Sequence, residues 1–280
     1  MKYPALIIAL LASSPHPVAA AEQKPLLFKP GIIDRIMVRL PSAGSNFKDK
    51  SLLLYIPFNN TAEDMSGHGN HGLAANLQYV KGGLGSNGIA GRFRWGTVVR
   101  IAAKTFPSGK APRTLSCWVM VKGHIPGGGL CNNKETTICG YGKLRGCIRK
   151  NSAFVLFGDT FNEPSSPTRN GWFSWSQWGD GVGISEPAGA RQHKWYMLTA
   201  TYDGNTVRTY LNGKFYSARA FRLQTNSSST FIIGQWDWRR YTDGLIDEVR
   251  LYSRALSAVE VKARYDKDVA TLANPGTIGK

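Results

Sequence analysis

From Leu245 to Tyr252 the chain alternates with a period of two, with Leu245, Asp247, Val249 and Leu251 on one side and Ile246, Glu248, Arg250 and Tyr252 on the other. That period is a strand's. An aspartate on the side of Leu, Val and Leu is costly to bury unless it is paired or binds a metal, so Asp247 requires a partner. Ser257 and Glu260 follow as an S-x-x-E capping box, which predicts a short C-terminal helix. In Thr114 to Lys122, Leu115, Cys117, Val119 and Val121 oppose Ser116, Trp118 and Met120. Both faces are apolar enough for a strand at the heart of a two-sheet sandwich. Asn212-Gly213 is a type I′ turn signal between strands Thr206–Leu211 and Lys214–Ala220. Further strands are expected near Trp95 to Ala103, at Ala153 to Gly158 and at Trp172 to Trp178. Gly31 to Leu40 carries apolar residues at helical spacing, and Lys267 to Lys280 has no period and reads as a loose tail.

The composition agrees with an all-β chain. Its 31 Gly and 14 Pro suit many turns rather than long helices. The pattern describes one large domain over residues 51–266, preceded by an extension at 22–50 and followed by a tail at 267–280. Residues 1–21 have the marks of a secretory signal: Lys2, the short apolar run Ala5 to Ala12, and the small residues Val18 to Ala21. The expected product is exported, periplasmic or extracellular. No stretch approaches the ~20 apolar residues of a transmembrane helix.

Export changes the meaning of the four cysteines. Cys117, Cys131, Cys139 and Cys147 fall in one short stretch and read as two disulfides with three possible connectivities. The pairing expected is Cys131–Cys139 with Cys117–Cys147; the first closes a tight loop worth roughly 2.5 kcal/mol on the chain-entropy model. A zinc site using all four thiolates is the alternative, but it lacks a C-x2-C pair. The net charge of +17 attracts polyanions. For an exported chain the fitting partners are acidic polysaccharides and other anionic surfaces rather than nucleic acid.

Four blocks carry a resemblance. They are LLLYIPFNNTAEDMSGHGNHG (Leu52 to Gly72), RTLSCWVMVKG (Arg113 to Gly123), HKWYMLTATYDGNTVRTYLNGK (His193 to Lys214) and the closing GLIDEVRLYSRALS. In this order they resemble laminin G-like jellyroll domains of the concanavalin A-like lectin/glucanase superfamily. The resemblance implies a two-sheet antiparallel jellyroll sandwich with a short C-terminal helix. It also implies a structural Ca2+ where the opening loop meets the closing strand. The matching positions are Asp64 and Asp247, with backbone carbonyls near Asn59 and from Gly67 to Asn70 completing an oxygen cage. In the alternative reading Asp247 caps backbone N–H groups and binds no metal.

The fold hosts lectins, enzymes and adhesive modules, so function must come from the site. Trp236, Trp238, Arg239, Arg240 and Tyr241 lie in the loop before the closing strand and form the candidate ligand site. Aromatic faces stack on sugars, and a guanidinium pairs with carboxylate or sulfate. Trp172, Trp175 and Trp178 recur at intervals of three, so Trp175 faces opposite to the other two. Trp118 and Trp195 are assigned to the core. Glucanases of the superfamily carry an E-x-D-x-x-E strand, which this chain lacks, and the pairs Glu63-Asp64 and Asp247-Glu248 point to opposite faces of a strand. The sequence therefore favours a secreted, non-catalytic, lectin-like module for an anionic polysaccharide. A polysaccharide lyase using residues such as Tyr141, His124 and Arg145 is one alternative. A module for protein adhesion at a cell surface is the other.

Overall fold

The computed structural model describes residues 49–273, apart from 85–86, 104, 123–134, 143–151, 160–171, 178–180, 185–189, 227–229 and 237–240. Residues 1–48, with the expected signal and helix, lie outside the described residues, as do Cys131, Cys147, His124, Arg145, Trp178, Trp238, Arg239 and Arg240. In chain order the strands are β1 (Leu52–Ile56), β2 (Leu73–Ala75), β3 (Gln78–Lys81), β4 (Ile89–Phe93), β5 (Val98–Ala102), β6 (Arg113–Val121), β7 (Glu135–Gly142) and β8 (Ala153–Asp159). They continue with β9 (Trp172–Ser176), β10 (Gly181–Ile184), β11 (Trp195–Tyr202), β12 (Thr206–Leu211), β13 (Lys214–Ala220), β14 (Thr230–Ile233) and β15 (Gly244–Tyr252), before helix α1 (Ala258–Ala273).

The strands form two antiparallel sheets. The first has the order β13-β12-β11-β6-β15-β4-β3, with β1 also paired to β15. The second runs β10-β9-β8-β7-β14-β5-β2. Between them lies one core, to which β6 gives Leu115, Cys117, Val119 and Val121 and β9 gives Phe173 and Trp175. The outer face of the first sheet holds a second apolar cluster with Trp118, Met197, Tyr210 and Tyr252, against which Trp195 and Tyr265 of α1 pack. The sandwich, with Trp175 in its core, follows from alternation, whereas Trp118 and the half-buried Trp195, expected in the core, belong to the outer-face cluster instead. The β12–β13 turn has Asn212 at φ 50° and Gly213 at φ 76°, the two positive values a type I′ turn requires.

Three features differ from the expectations. First, β15 is bulged: its register against β6 shifts between Asp247 and Arg250, with Glu248 at φ 52°. The extra residue reverses the alternation, so Ile246, Val249 and Leu251 face the core while Asp247 pairs with Trp118 on the outer side. Second, α1 continues to Ala273, so the domain does not end at 266 and residues 267–273 are not tail. Asp268 explains the extension: it is buried, accepting from Trp118 Nε1 (2.9 Å) and from Arg250 Nη1 (2.9 Å) and Nη2 (3.1 Å). The capping box does start the helix, with Ser257 N donating to Glu260 Oε2 (2.8 Å) and Glu260 N to Ser257 Oγ (3.3 Å).

Third, the expected pairings Cys131–Cys139 and Cys117–Cys147 are not formed. Cys117 and Cys139 are both free and fully buried. They come from opposite sheets, and both belong to the core between them. Inward alternation on β6 commits Cys117 to the inter-sheet space, and β7 brings Cys139 to it from the other side.

Candidate functional site

Two connections cross from one sheet to the other at the same end of the sandwich. One joins β4 to β5 through Arg94, Trp95 and Gly96; the other joins β14 to β15 through residues 234–243. Gly234 starts the second crossing at φ 91°, and a Cβ there would lie 2.0 Å from the Phe93 ring, so only glycine lets the chain pass. The loop is closed at its base by the Gln235–Tyr241 bridge and by Thr242 N donating to the Gly234 carbonyl (2.6 Å). Thr242 Oγ1 donates to the Thr137 carbonyl on β7 (2.8 Å), fixing the loop to the second sheet.

The two crossings are tied together. Gly96 N donates to Gln235 Oε1 (2.7 Å), and Asn76 Nδ2 donates to the Gly96 carbonyl (3.0 Å). On this rim Trp95 is 67% exposed, an unusual state for so large an apolar group. Trp236 is half-buried and lies against Ala153, Val155 and Phe157 of β8 on the outer face of the second sheet. Tyr241 is half-buried; burial, with the nearby Asp243 carboxylate, pushes its phenol up from the usual value. Arg92 pairs with Asp243 (2.8 Å) and bonds the Gly244 carbonyl (3.1 Å), bracing the end of the crossing. Arg94 and, on the outer face of β5, Arg100 are exposed.

Of the expected ligand residues, Trp236 and Tyr241 stand together on this rim. Trp95, Gln235 and Asn76 were not singled out by the sequence. A Trp-Gly pair at a turn was the available signal for Trp95, but alternation around it suggested a strand. Tyr141, a candidate base for lyase chemistry, is a core residue: its hydroxyl donates to the Pro107 carbonyl (2.7 Å) and accepts from Arg113 Nη1 (3.2 Å). Burial, against the opposing pull of the Arg113 cation, pushes its phenol up to about 12. It therefore has no access to a polymer.

The residues expected to hold calcium are separately engaged. Asp64 accepts from Tyr55 N (2.9 Å), Ser66 N (2.9 Å), Ser66 Oγ (2.8 Å) and Asn70 N (2.9 Å), so its oxygens close the opening loop. Burial would raise its pKa, but these donors outweigh it and hold the carboxyl below the usual range. Asp247 accepts from Leu84 N (2.7 Å) and Glu248 N (2.9 Å), one bond to each oxygen among the described residues. Complete burial, and then the Glu248 charge, pushes its carboxyl well up. The Asn59 side-chain oxygen is also buried and has no hydrogen-bond partner among the described residues. Among the described residues no three His, Cys, Asp or Glu side chains gather as a metal cluster. A cation here would thus draw on Asp247, amide and carbonyl oxygens and water, a donor set that suits a hard ion.

Comparison with known structures agrees with this architecture. Domain 4 of AbnA, a GH43 extracellular arabinanase from Geobacillus stearothermophilus solved with arabinotriose, is 20% identical, with a TM-score of 0.55 over 76% of this chain and 97% of that one. The binding domain of Paraclostridial Mosquitocidal Protein 1 is 17% identical with a TM-score of 0.56, over 79% of this chain and 52% of that one. The botulinum neurotoxin type G receptor binding domain is 15% identical with a TM-score of 0.52, over 78% and 51%. This chain therefore spans about half the length of either toxin domain. At such identities the likeness is one of fold. No match was found among curated proteins. A family model for laminin G domains matches residues 96–262, more than half of the chain, and the protein belongs to the concanavalin A-like lectin/glucanases superfamily.

Proposed function

We propose that this protein is an exported, non-catalytic carbohydrate-binding module that takes an anionic polysaccharide on the rim built by Trp95, Trp236 and Tyr241. The exposed Trp95, tied to the Trp236 loop through the Gly96–Gln235 hydrogen bond, is the observation that carries the reading. An indole two-thirds in water has surface to give to a sugar face, and Trp236 offers a second, firmer ring beside it. The preference for acidic chains rests on the net charge of +17 and on Arg94 and Arg100 near the aromatic rim. The arabinotriose-bound domain 4 of AbnA lends the carbohydrate reading support by analogy of fold. Export rests on Lys2, the Ala5 to Ala12 apolar run and the small residues before Glu22.

Calcium belongs to the same proposal as a structural ion. Its ligands would be Asp247 and the Asn59 side-chain oxygen, with Asp64 acting from behind by shaping the loop. The β1–β15 register, which sets Ile56 opposite Val249, leads the chain after β1 toward the Asp247 end of β15 and favours that pairing.

A panel of purified neutral and acidic polysaccharides tests the function. The protein is expected to be retained by uronate or sulfated chains at low salt and released as ionic strength rises. Equal retention by neutral chains at low and high salt would remove the anionic preference, and no retention by any polymer would remove the binding reading. Absorbance from new unsaturated uronate would make the protein a lyase instead.

A further inference from the structure

We infer that the acidic chain held at the Trp95 rim runs on across the end of the first sheet, over a cationic track made by Arg94, Lys122, Lys194 and Arg191. The inference rests on the rim reading above and adds to it the residues that read the chain's charge.

Four neighbouring strands, β4, β15, β6 and β11, end level with one another beside the rim. Gly244, at the start of β15, stands opposite Phe93 of β4 on one side and Val121 of β6 on the other. The ladder continues one residue further out. Lys122 N donates to the Asp243 carbonyl (2.9 Å), and His193 N donates to the Val121 carbonyl (2.8 Å). Trp195 opposes Met120, so Lys194 and His193 come level with Val121 and Lys122. Arg94, Asp243, Lys122 and the His193–Lys194 pair therefore leave adjacent strands in one row, roughly 14 Å long at about 4.8 Å per strand spacing. Arg191 lies two residues before His193, its N–H bonded to the Tyr196 hydroxyl (2.9 Å).

The row is positive and uncompensated. Asp243 is its one acid among the described residues, and Arg92 already pairs with that carboxylate (2.8 Å). Arg94 and Arg191 are exposed and Lys122 is half-buried, and none of the three pairs with a carboxylate among the described residues. The Lys194 ammonium sits 5.2 Å from the centre of the Tyr196 ring, which holds the cation in place without cancelling its charge. The same end of the second sheet instead carries the acidic positions Glu135 and Asp159, opposite each other on β7 and β8. A polyanion leaving Trp95 is thus drawn over the first sheet rather than the second. Cations gathered without counter-ions repel one another, and a chain of repeated carboxylates or sulfates relieves several of them at once.

The test compares two variants that lose the same three charges. Lys122→Gln/Arg191→Gln/Lys194→Gln removes them from the track. Lys110→Gln/Arg222→Gln/Lys267→Gln removes exposed cations from the opposite end of the sandwich and from α1. The probe is polygalacturonate or dextran sulfate, whichever the unmodified full chain binds more tightly at low salt, read by isothermal titration. The track variant should bind on the order of tenfold more weakly, with a flatter dependence on salt. The other variant should stay within twofold of the unmodified chain. Equal losses in both would show that net charge alone is felt, and would overturn the inference. Unchanged affinity in the track variant beside a loss for Trp95→Ala would overturn the track and leave the rim standing. No binding of either polymer by the unmodified chain would remove both. If the track variant does not fold, Arg94→Gln/Arg191→Gln, at two exposed side chains, takes its place. It should lose on the order of fivefold, and no loss would refute the track.

Discussion

Trp95→Ala should weaken polysaccharide binding while leaving stability almost untouched, and the structure sets both magnitudes. The indole is 67% exposed and has few core contacts to lose, so its removal falls among surface substitutions worth within about 0.5 kcal/mol. A large aromatic side chain offers roughly 200 Å², of which about 130 Å² is in water here; a sugar covering one face takes about half. At ~25 cal/mol per Å² that area is worth about 1.6 kcal/mol, or roughly a 15-fold loss of affinity. Trp236→Ala differs, because Trp236 is half-buried on Ala153, Val155 and Phe157. It should weaken binding and also cost about 2 kcal/mol of stability, half of a fully buried aromatic truncation. Phe215→Ala removes another exposed aromatic, at 58%, on β13 at the far edge of the first sheet, and should leave affinity unchanged. Isothermal titration with the polysaccharide selected by the panel, beside urea unfolding, reads both effects. An affinity change below twofold for Trp95→Ala, or an equal loss for Phe215→Ala, would refute the rim as the site.

The remaining predictions concern the scaffold. Asp268→Asn leaves the buried Arg250 short of a partner, so urea unfolding should show a loss of about 3 kcal/mol; a loss under 1 kcal/mol would show that α1 is not anchored this way. Asp64 has a depressed folded-state pKa, so its contribution is present above the unfolded value near ~3.9 and disappears as pH falls through the lower folded value. Asp64→Asn should therefore cost stability at neutral pH and flatten the wild-type decline in that acid window, and superimposable pH–stability curves would contradict it. Saturating calcium should raise the melting temperature, by about 2.7 kcal/mol of stabilisation at a hundredfold excess over Kd, and Asp247→Asn should abolish the shift. A calcium-loaded protein whose melting curve ignores EDTA would end the calcium proposal.

What could be read from the sequence was local. Asn212-Gly213 demands positive φ at both positions, and Ser257 with Glu260 satisfies free N–H groups within one helical turn, so each is specified by adjacent residues. The β6 pattern announced a central strand because both its faces are apolar. The bulge at Glu248 was hidden, since it arises where β15 changes neighbours from β4 to β1, and it moved Asp247 to the other face. Arg113 was equally opaque. It is fully buried with no carboxylate partner among the described residues, held by the carbonyls of Pro107, Gly109 and Ala111 and lying over the Phe154 and Tyr202 rings. Nothing near it in sequence distinguishes it from the exposed arginines that give the chain its charge. Trp95 escaped notice for the opposite reason, because a tryptophan beside strand residues is expected to be buried.

The placement of α1 narrows where a ligand can act. Its Tyr265 stacks on Trp118 at 5.5 Å and 17°, and its Asp268 joins Arg250, Glu248 and Tyr55 in a buried network on the outer side of the first sheet. Burial raises the Tyr55 phenol and the Glu248 carboxyl above their usual values. Such charges are tolerable in a low dielectric only while every member keeps its partners. Lifting the helix to admit a polymer would expose that network and unpair it. The far rim carries no comparable commitment: Trp95 and Arg94 are exposed, and Leu73 and Arg100 beside them on the second sheet are exposed as well. A ligand that engages this rim displaces water alone, whereas one on the helix-covered face must first dismantle part of the fold.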